Sequence, residues 1–390
     1  MITFRLAWRN LIGAGLRTWL NAIVLSFAFV VIIWHRGFLD GWQEEARVDT
    51  IAWEIGGGQF WHPNYDPFDP FTLEDSHRAL SDELLNYVAE GKITPVLISQ
   101  ATIYPNGRMQ SVVLKGIPAE QQILNLPTNY LSETGTHIPV IIGTRMASSA
   151  KVKKGDVFSI RWRDANGTFD AANAKIVSIF KTNVGAVDQG QLWLPLSQLQ
   201  NMMRLPDEAS LLVVSPEIGE QPQSNEWQFQ SVDELLKEID TIIKQKKVGG
   251  SILYIILLAM AMLAIFDTQV LSIFRRQKEI GTHIALGMTR GQVVRLFTVE
   301  GAMHGIFAAA LAAAYGIPLL TLQAKHGFAM PAGTDDYGIT IAERIFPAYS
   351  FGLVLGTTAV VLITATIVSF IPARKIAKLQ PTEALKGKIQ

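Results

Sequence analysis

Cysteine is absent from this chain of 390 residues, so disulfide bonds are excluded and the redox compartment is left undetermined. An excess of either charge is also absent, because 34 lysines and arginines balance 34 aspartates and glutamates. Nucleic-acid binding depends on clustered positive charge that neutralises phosphates. A net charge of zero gives no general reason to expect it, and we predict no nucleic-acid partner.

Motifs for nucleotide binding and covalent catalysis are missing too. No Gly-x-x-x-x-Gly-Lys-Ser/Thr sequence occurs, so we expect that the chain does not bind ATP in a P-loop by itself. Gly-x-Ser-x-Gly is absent, and no other nucleophile with its base stands out. His62, Asp66 and Asp69 could bind a metal, but the prolines among them favour an extended surface loop. We predict that the chain is not an enzyme and has no catalytic residue, metal or cofactor of its own.

Apolar residues, in contrast, make up 49% of the chain and concentrate in four runs. At 1.5 Å per residue, roughly 20 helical residues cross the ~30 Å hydrocarbon core of a bilayer. The alternative for the first run is a cleaved signal peptide. That run exceeds the usual ~7–15 apolar residues, however, and no Ala-x-Ala site follows it. We predict four membrane-spanning helices, at residues 18–38, 248–274, 297–323 and 347–372.

Charge on the connecting segments predicts the orientation of these spans. Residues 1–17, 275–296 and 373–390 are basic, whereas residues 39–247 hold 27 acids and 18 bases. Basic segments of membrane proteins stay in the cytoplasm. Both termini and the central loop are therefore predicted to be cytoplasmic, with residues 39–247 and 324–346 outside. Residues 1–17 are predicted to be an interfacial amphipathic helix, and residues 373–390 a basic tail.

Three lysines at the end of the insert, Lys244, Lys246 and Lys247, lie on the outside in this arrangement. They do not overturn the orientation, because long domains translocate largely regardless of their charge.

The insert at residues 39–247 is predicted to be a large α+β domain between the first and second spans. A helix is predicted from Thr72 to Gly91, and another at residues 232–247, where Ser231 and Glu234 form a capping box and the helix leads into the second span. Short apolar runs predict strands at residues 96–104, 109–115, 138–142, 157–162, 174–180 and 211–214.

The basic loop between the second and third spans has the pattern of a short helix. Ile280 and Ile284 lie one helical turn apart, and Gly287 is well placed to end a helix. Thr289 can then cap the next helix. Such an element, joined to a span at each end, is suited to transmitting a push from a cytoplasmic partner. The residues predicted to take part are Arg275, Arg276, Lys278, Glu279, Ile280, Gly281, Ile284, Leu286 and Gly287.

Two residues of this loop call for an explanation. Glu279 is the only acid among five bases, so it requires a partner, which is Arg275, Arg276 or a basic group on another protein. Gly281 costs ~1 kcal/mol relative to alanine within a helix, which favours close approach of another backbone.

Asp267 lies in the inner part of the predicted second span. A carboxylate there costs about 2.5–3.5 kcal/mol on insertion scales unless it faces water or a partner. One interpretation is an ion pair with a loop arginine near the interface. The other is a polar contact between helices of an assembled complex.

The loop sequence, Arg275-Arg-Gln-Lys-Glu-Ile-Gly-Thr-His-Ile-Ala-Leu-Gly-Met-Thr-Arg-Gly-Gln-Val293, resembles the signature of FtsX-like, MacB-type ABC transporter permeases. The two ends resemble the same family, through Leu6-Ala-Trp-Arg-Asn-Leu11 and Gln380-Pro-Thr-Glu-Ala-Leu385. In the insert, Val152-Lys-Lys-Gly-Asp156 and Glu226-Trp227 resemble its periplasmic core domain. Asp267 departs from the pattern, because relatives commonly have asparagine there.

This resemblance implies a separate cytoplasmic ATPase in two copies, which binds ATP and Mg²⁺, and two permease chains, identical or homologous. In layout the chain is most similar to the lipoprotein-releasing LolC/LolE type, so we expect release of lipoproteins from the membrane. The alternative is a MacB-like permease that moves peptides, toxins or drugs through a periplasmic partner. A membrane scaffold without transport is a third hypothesis, which the structured loop disfavours. Candidate cargo-facing residues are Trp61, Tyr65 and Phe68.

Overall fold

The computed structural model describes residues 16–219, 222, 224, 226–330 and 344–375, with side chains from Trp19 onward. The predicted basic tail beyond residue 375, most of the predicted interfacial helix and the middle of the 324–346 loop lie outside these residues. The chain divides into two compact units. The membrane unit comprises Met1–Gln43, Ile242–Ala329 and Arg344–Gln390, and the β-rich unit comprises Glu44–Thr241 and Met330–Glu343.

Four helices in the described part of the chain are long and apolar enough to cross a membrane, as predicted. A short helix, Gln277–Ala285, follows the second of them, and β12 (Phe328–Ala329) pairs with β13 (Arg344–Ile345) between the third and fourth. The four span helices are Leu16–Thr50, Lys237–Arg275, Arg290–His326 and Phe351–Ala373.

The span helices pack through a shared apolar core that includes Leu25, Phe29, Ile265 and Val361. Glycines of the third span helix allow its neighbours to approach closely. A Cβ atom added at Gly316 would lie 2.8 Å from Val30 Cγ2, and one added at Gly305 would lie 2.9 Å from Leu362 Cδ2. Small residues at helix contacts are typical of membrane bundles, where van der Waals packing supplies much of the attraction.

Two of the three lysines that are predicted to lie outside despite the rule for basic segments contact residues at the end of the first span helix. Lys247 Nζ lies 2.7 Å from Asp40 Oδ1 and donates a hydrogen bond to Gln43 Oε1 at 2.6 Å. Lys246 Nζ lies 5.5 Å from the centre of the Trp42 ring. Both lysines therefore contact the end of the first span helix, and Lys247 is neutralised there by Asp40.

The strands of the β-rich unit are β1 Gln59–Trp61, β2 Arg78–Ala79, β3 Ile93–Tyr104, β4 Gln110–Ile117, β5 Ile138–Gly143, β6 Val157–Arg163, β7 Phe169–Phe180, β8 Gln191–Pro195, β9 Glu208–Ala209, β10 Leu211–Val214 and β11 Gln228–Gln230. Nine of them form one sheet, in the order β11-β1-β10-β3-β4-β8-β5-β7-β6. Because β3 also pairs with β6, six of these strands close on themselves around a core that contains Leu114, Val140, Ile160, Ile176 and Leu194.

Short helices complete this unit and make it α+β, as predicted. The capping box between Ser231 and Glu234 forms as expected, with Ser231 N–H donating to Glu234 Oε2 at 2.9 Å. The helical segments are Ile51–Ile55 (π), Pro70–Glu74 (3₁₀), Asp82–Ala89, Pro105–Gly107 (3₁₀), Thr128–Ser132 (3₁₀), Thr144–Ala150, Gly185–Asp188, Leu196–Met203 and Val232–Leu235.

The predicted helix from Thr72 to Gly91 is wrong in its first half. Asp69 accepts a hydrogen bond from Phe71 N–H at 3.0 Å and begins a 3₁₀ turn that ends at Glu74. Arg78 and Ala79 then form β2, which pairs with β9. The α-helix begins only after Ser81, which caps it. Local capping at two other sites and a long-range strand pair therefore outweigh the capping pattern at Thr72.

Candidate functional site

The short helix Gln277–Ala285 lies where the sequence predicts it, and its boundaries follow from capping. Gly287 has a φ of 99°, a left-handed conformation that favours glycine, and its N–H bonds to Ile284 O at 3.0 Å. The third span helix then begins with a capping box, in which Gln292 N–H donates to Thr289 Oγ1 at 3.3 Å and Thr289 N–H to Gln292 Oε1 at 2.8 Å. The path between the two helices is therefore set by local hydrogen bonds.

One face of the short helix packs onto the adjoining ends of the second, third and fourth span helices. Ile280 is fully buried and, with Ile284 packed against the same cluster, lies among Ile273, Val293 and Phe297. Burying a side chain of this size contributes about 1.5–3 kcal/mol. Gly281 is also buried, so a larger side chain there would disturb the packing of the chain itself.

Arg276 connects the short helix to the third span. Its Nε donates to Glu279 Oε2 at 2.7 Å, and its Nη1 lies 3.0 Å from both carboxylate oxygens of Glu300. The guanidinium group also lies 5.0 Å from the centre of the Phe297 ring. Burial alone would lower the pKa of Arg276, but the carboxylates of Glu300 and Glu279 outweigh that effect and raise it. A permanently charged group thus links one exposed acid and one buried acid.

Glu300 was not predicted as a site residue. Only 5% of it is exposed, and the loss of Arg276 would leave a buried carboxylate without its counterion. Breaking a buried pair in this way costs about 3–5 kcal/mol. Asp267 was selected because a charge within a span requires a partner. The same rule applies to Glu300 and would have predicted it as a site residue.

The opposite face of the loop is exposed and carries a single large apolar side chain. Leu286, which caps the end of the short helix, is 80% exposed, and Lys278, Glu279 and Arg290 of the same loop are exposed too. Arg275 and Arg295 are exposed as well. The predicted partner-facing residues therefore fall into two groups. Arg275, Lys278, Glu279, Leu286 and Gly287 are exposed, while Arg276, Ile280, Gly281 and Ile284 attach the helix to the spans.

Further polar groups are buried where the second, third and fourth spans meet. A Cβ atom at Gly301 would lie 3.0 Å from Gln269 Nε2, and it would overlap Ser369. Ser369 Oγ donates to Ala365 O at 2.7 Å, whereas Gln269 Oε1 and His304 Nε2 are buried without a hydrogen-bond partner among the described residues. Sequence reasoning missed these residues, because isolated serine, glutamine and histidine give no signal of which helix face they occupy.

Asp267 lies on an exposed face of the second span helix. It has no ion pair or hydrogen bond within the described part of the chain. Its neighbour Thr268 accepts a hydrogen bond from Asn21 Nδ2 at 2.6 Å, so the polar contact with the first span is made by the next residue. The loop arginine Arg276 pairs with Glu300 and Glu279 instead.

The candidate cargo-facing residues of the β-rich unit differ in their exposure to solvent. Trp61 Nε1 donates to Gln59 Oε1 at 2.7 Å, and the Trp61 ring lies 5.1 Å from that of Tyr65, both partly buried against the domain core. Burial raises the pKa of Tyr65 well above its ordinary value. Phe68 and Phe71, in contrast, are 78% and 88% exposed. The exposed apolar surface of this loop is therefore formed by the two phenylalanines.

Comparison with known proteins places the site in a recognised domain. Residues 251–381 match the family described as FtsX-like permease C-terminal. Over 123 residues the chain is 32% identical to the pyoverdine export ATP-binding/permease protein PvdT of Pseudomonas fluorescens, an alignment that covers 32% of this chain and 16% of that protein. It is 29% identical over 127 residues to an uncharacterized ABC transporter permease of Methanocaldococcus jannaschii, covering 32% of this chain and 28% of that one.

Among solved structures, the chain is similar to the extracellular domain of the noncanonic ABC-type transporter YknZ from Gram-positive bacteria. The TM-score is 0.28 and the identity 13%, over 45% of this chain and 99% of that one.

Four helices long and apolar enough to cross a membrane indicate a membrane protein, and residues 251–381 match a permease domain. The matched residues 251–381 contain the short helix and the Arg276–Glu300 pair, and the relatives that are similar over this part of the chain include ABC transporter permeases. The predicted resemblance is therefore confirmed. The chain spans less than a third of the length of these curated relatives.

Proposed function

We propose that this chain is the permease subunit of an ABC transporter and that the short helix Gln277–Ala285 is its coupling helix. In this proposal a separate ATPase, present in two copies, binds and hydrolyses ATP with Mg²⁺ on the cytoplasmic side of a bacterial inner membrane. This chain contributes no catalytic group and converts the movement of the ATPase into movement of its spans and of the β-rich unit.

The observation that carries the proposal is the attachment of the short helix to the third span through Arg276. A force on the short helix must either separate Arg276 from Glu300 and expose Ile280, or move the third span with it. The first option costs about 3–5 kcal/mol for the ion pair alone. The second needs only sliding among helices that meet at small residues. A push on the helix is therefore passed to the span.

The exposed side of the helix supports docking of a protein partner. Leu286 is an exposed apolar side chain, and the same loop carries the exposed basic residues Arg275, Lys278, Arg290 and Arg295. A docking groove that combines an apolar pocket with acidic side chains on its rim would complement this surface. Apolar anchors at the centre of an interface, with polar groups around them, are typical of protein contacts that carry most of their binding energy in few residues.

For the cargo we propose lipoproteins, which would be released from the outer leaflet. Exposed Phe68 and Phe71 on the β-rich unit are suited to contact an apolar partner above the bilayer. The second candidate is MacB-like export of a peptide, toxin or drug, and it is favoured by the similarity of the chain to the pyoverdine export protein PvdT of Pseudomonas fluorescens. A scaffold without transport does not require a helix attached in this way.

The coupling proposal is tested by the ATPase activity of the reconstituted complex in lipid vesicles. Leu286→Ser should reduce ATPase association and cargo-stimulated hydrolysis by about tenfold or more, because it removes an apolar anchor from a docking site. Met109→Ser is the matched control, since Met109 is 75% exposed on the β-rich unit. Equal association and activity in the parent and in both variants would overturn the proposal.

The cargo proposal is tested separately, by mass spectrometry of molecules that co-purify with the complex trapped by a non-hydrolysable ATP analogue. A triacylated protein supports lipoprotein release, whereas a small amphiphile or peptide in its place contradicts that proposal and supports export.

A further inference from the structure

A groove of about 620 Å³ lies between the first and third span helices. Its wall is mostly apolar and includes Val31 and Trp34 of the first helix and Leu319 of the third. Along the third helix the lining extends from Tyr315 to His326, which is about 16 Å of helix. One leaflet of a ~30 Å hydrocarbon core has about this depth. The groove is therefore as long as one leaflet is deep.

The sequence of the third span helix supplies a local reason for this groove. Pro318 has no N–H to donate to the carbonyl of Ala314, and a proline within a helix bends it. The two helices are nevertheless in contact nearby, because a Cβ atom added at Gly316 would lie 2.8 Å from Val30 Cγ2. The groove is therefore a space beside a packed contact, and its walls are held in place by that contact.

The two ends of the groove differ in polarity. At its deep end, Tyr315 Oη lies 3.4 Å from Ser26 Oγ, so these two hydroxyl groups satisfy each other within the bundle. At the other end the lining residues are Gln323 and His326, where the third span helix finishes. That end leads into the segment 324–346, which is predicted to lie outside. A molecule in the groove would therefore meet polar groups only near the membrane surface.

Two basic side chains lie beside this polar end. Lys325 is exposed and is the residue before His326. Arg344 is exposed as well, and its strand β13 pairs with β12 directly after the third span helix. A Cβ atom added at Gly327 would lie 2.5 Å from Arg344 Cγ, so Arg344 packs against the end of that helix. Positive charge is thus concentrated where the apolar wall ends.

The surroundings of the groove limit what can fill it. Both helices are long and apolar enough to cross a membrane, so the groove opens to hydrocarbon, in which acyl chains are the solvent. An empty groove would forfeit the van der Waals contacts on which packing between spans depends. The basic side chains at the polar end complement a phosphate group. An apolar wall one leaflet deep with positive charge at its outer end matches a phospholipid.

We propose that this groove is the binding site for one phospholipid. Its acyl chain lies against Val31, Trp34 and Leu319, and its phosphate contacts Lys325 and Arg344. The lipid is a resident ligand of the chain and not its cargo, because an acylated protein would fit the same wall but brings no phosphate for the two basic residues. This inference goes beyond the proposed function and does not depend on it.

The experiment places the full chain in phosphatidylcholine vesicles that contain a small fraction of a photoactivatable lipid with a diazirine in its acyl chain. The lipid is either phosphatidylglycerol or diacylglycerol, which has no phosphate, and the labelled residues are identified by mass spectrometry. Val31→Phe narrows the groove. Val354→Phe is the matched control, because Val354 is 40% exposed on the fourth span helix and does not line the groove. The double variant Lys325→Gln with Arg344→Gln removes the charge and leaves the apolar wall unchanged.

The proposal predicts that phosphatidylglycerol labels the groove at least about tenfold more than diacylglycerol does, since each basic residue near a membrane surface favours an anionic headgroup by roughly fivefold. The double variant Lys325→Gln with Arg344→Gln should remove this difference. Val31→Phe should lower labelling of the groove about tenfold, whereas Val354→Phe should leave it unchanged.

Equal labelling of the groove by the two lipids in the parent chain would overturn the proposal. That result would also follow if the acidic residues at positions 335–343, which lie outside the described residues, neutralised Lys325 and Arg344. Labelling at Leu319 no greater than at Val354 would overturn it too, because the groove would then hold lipid no longer than an ordinary lipid-facing surface.

A last arm separates a resident phospholipid from cargo. If a triacylated peptide displaces the photoactivatable phosphatidylglycerol more effectively than the same amount of unlabelled phosphatidylglycerol, the groove belongs to lipidated cargo and the proposal is overturned. None of these readouts needs an ATPase. A failure here is therefore distinguishable from a failure of the coupling test at Leu286.

Discussion

Replacement of Arg276 by methionine should release the short helix from the spans without preventing insertion of the chain. The side chain of Glu300 is 7% exposed and that of Arg276 is 21% exposed. Because Arg276 is partly solvated, we take the lower end of the cost of breaking a buried pair, about 3 kcal/mol. That energy corresponds to a factor of roughly 150 in the population of the released helix.

The population of chains with a released helix is measured by thiol labelling of Ile280→Cys, since Ile280 is fully buried and the parent chain has no cysteine. Arg276→Met in this background should raise the labelling rate by about two orders of magnitude, if the helix closes faster than it reacts. Arg275→Met is the matched control, because Arg275 is exposed, and it should leave the rate unchanged.

The double variant Arg276→Met with Glu300→Met should label within about tenfold of the parent, because two apolar side chains leave no unpaired charge. An unchanged rate for Arg276→Met would refute the argument that this ion pair attaches the helix. A double variant as reactive as Arg276→Met would show that the charge on Glu300 is not the cause.

Three further predictions concern the orientation, the β-rich unit and the cargo surface. An impermeant thiol reagent applied to intact cells should label single cysteines at Asn106, Gln223 and Gly333 but not at Thr289 and Lys388, and labelling at Lys388 would reverse the orientation. Burial lowers the pKa of Lys115, so the unfolded chain binds more protons and stability rises with pH through the window that ends near 10.5. The double variant Lys115→Met with Glu54→Leu replaces the pair by apolar side chains, so it should abolish this rise and increase stability by about 1–4 kcal/mol, measured by thermal unfolding; a loss of stability would contradict this. A photo-cross-linker at Phe68 should capture cargo from the active complex more efficiently than one at Tyr65, and equal capture would exclude the phenylalanine surface.

Much of the short helix could be predicted from sequence because its determinants are local. Gly287 ends the helix, Thr289 and Gln292 begin the next one, and Ile280 with Ile284 defines the buried face. Each of these signals lies within a few residues of the structure that it specifies. The four spans were predictable for the same reason, since length and hydropathy are properties of single segments.

The ion pair that attaches the helix could not be predicted in the same way. Arg276 and Glu300 are separated by 24 positions, and two arginines and other bases compete as partners for the acids of this region. The closure of the strands through β3 and β6 likewise depends on contacts between distant segments. At Thr72 the pattern was misleading, because Asp69 and Ser81 cap other segments and β2 requires the residues between them.

The central claim, that the short helix receives force from an ATPase, is tested most directly by a photo-cross-linking residue at Leu286 in the assembled, ATP-hydrolysing complex. The account predicts a cross-link to the ATPase subunit, identified by mass spectrometry through its Gly-x-x-x-x-Gly-Lys-Ser/Thr peptide, with no such cross-link from the same residue placed at Met109. A complex that hydrolyses ATP at the normal rate but gives no cross-link between Leu286 and the ATPase would contradict the account.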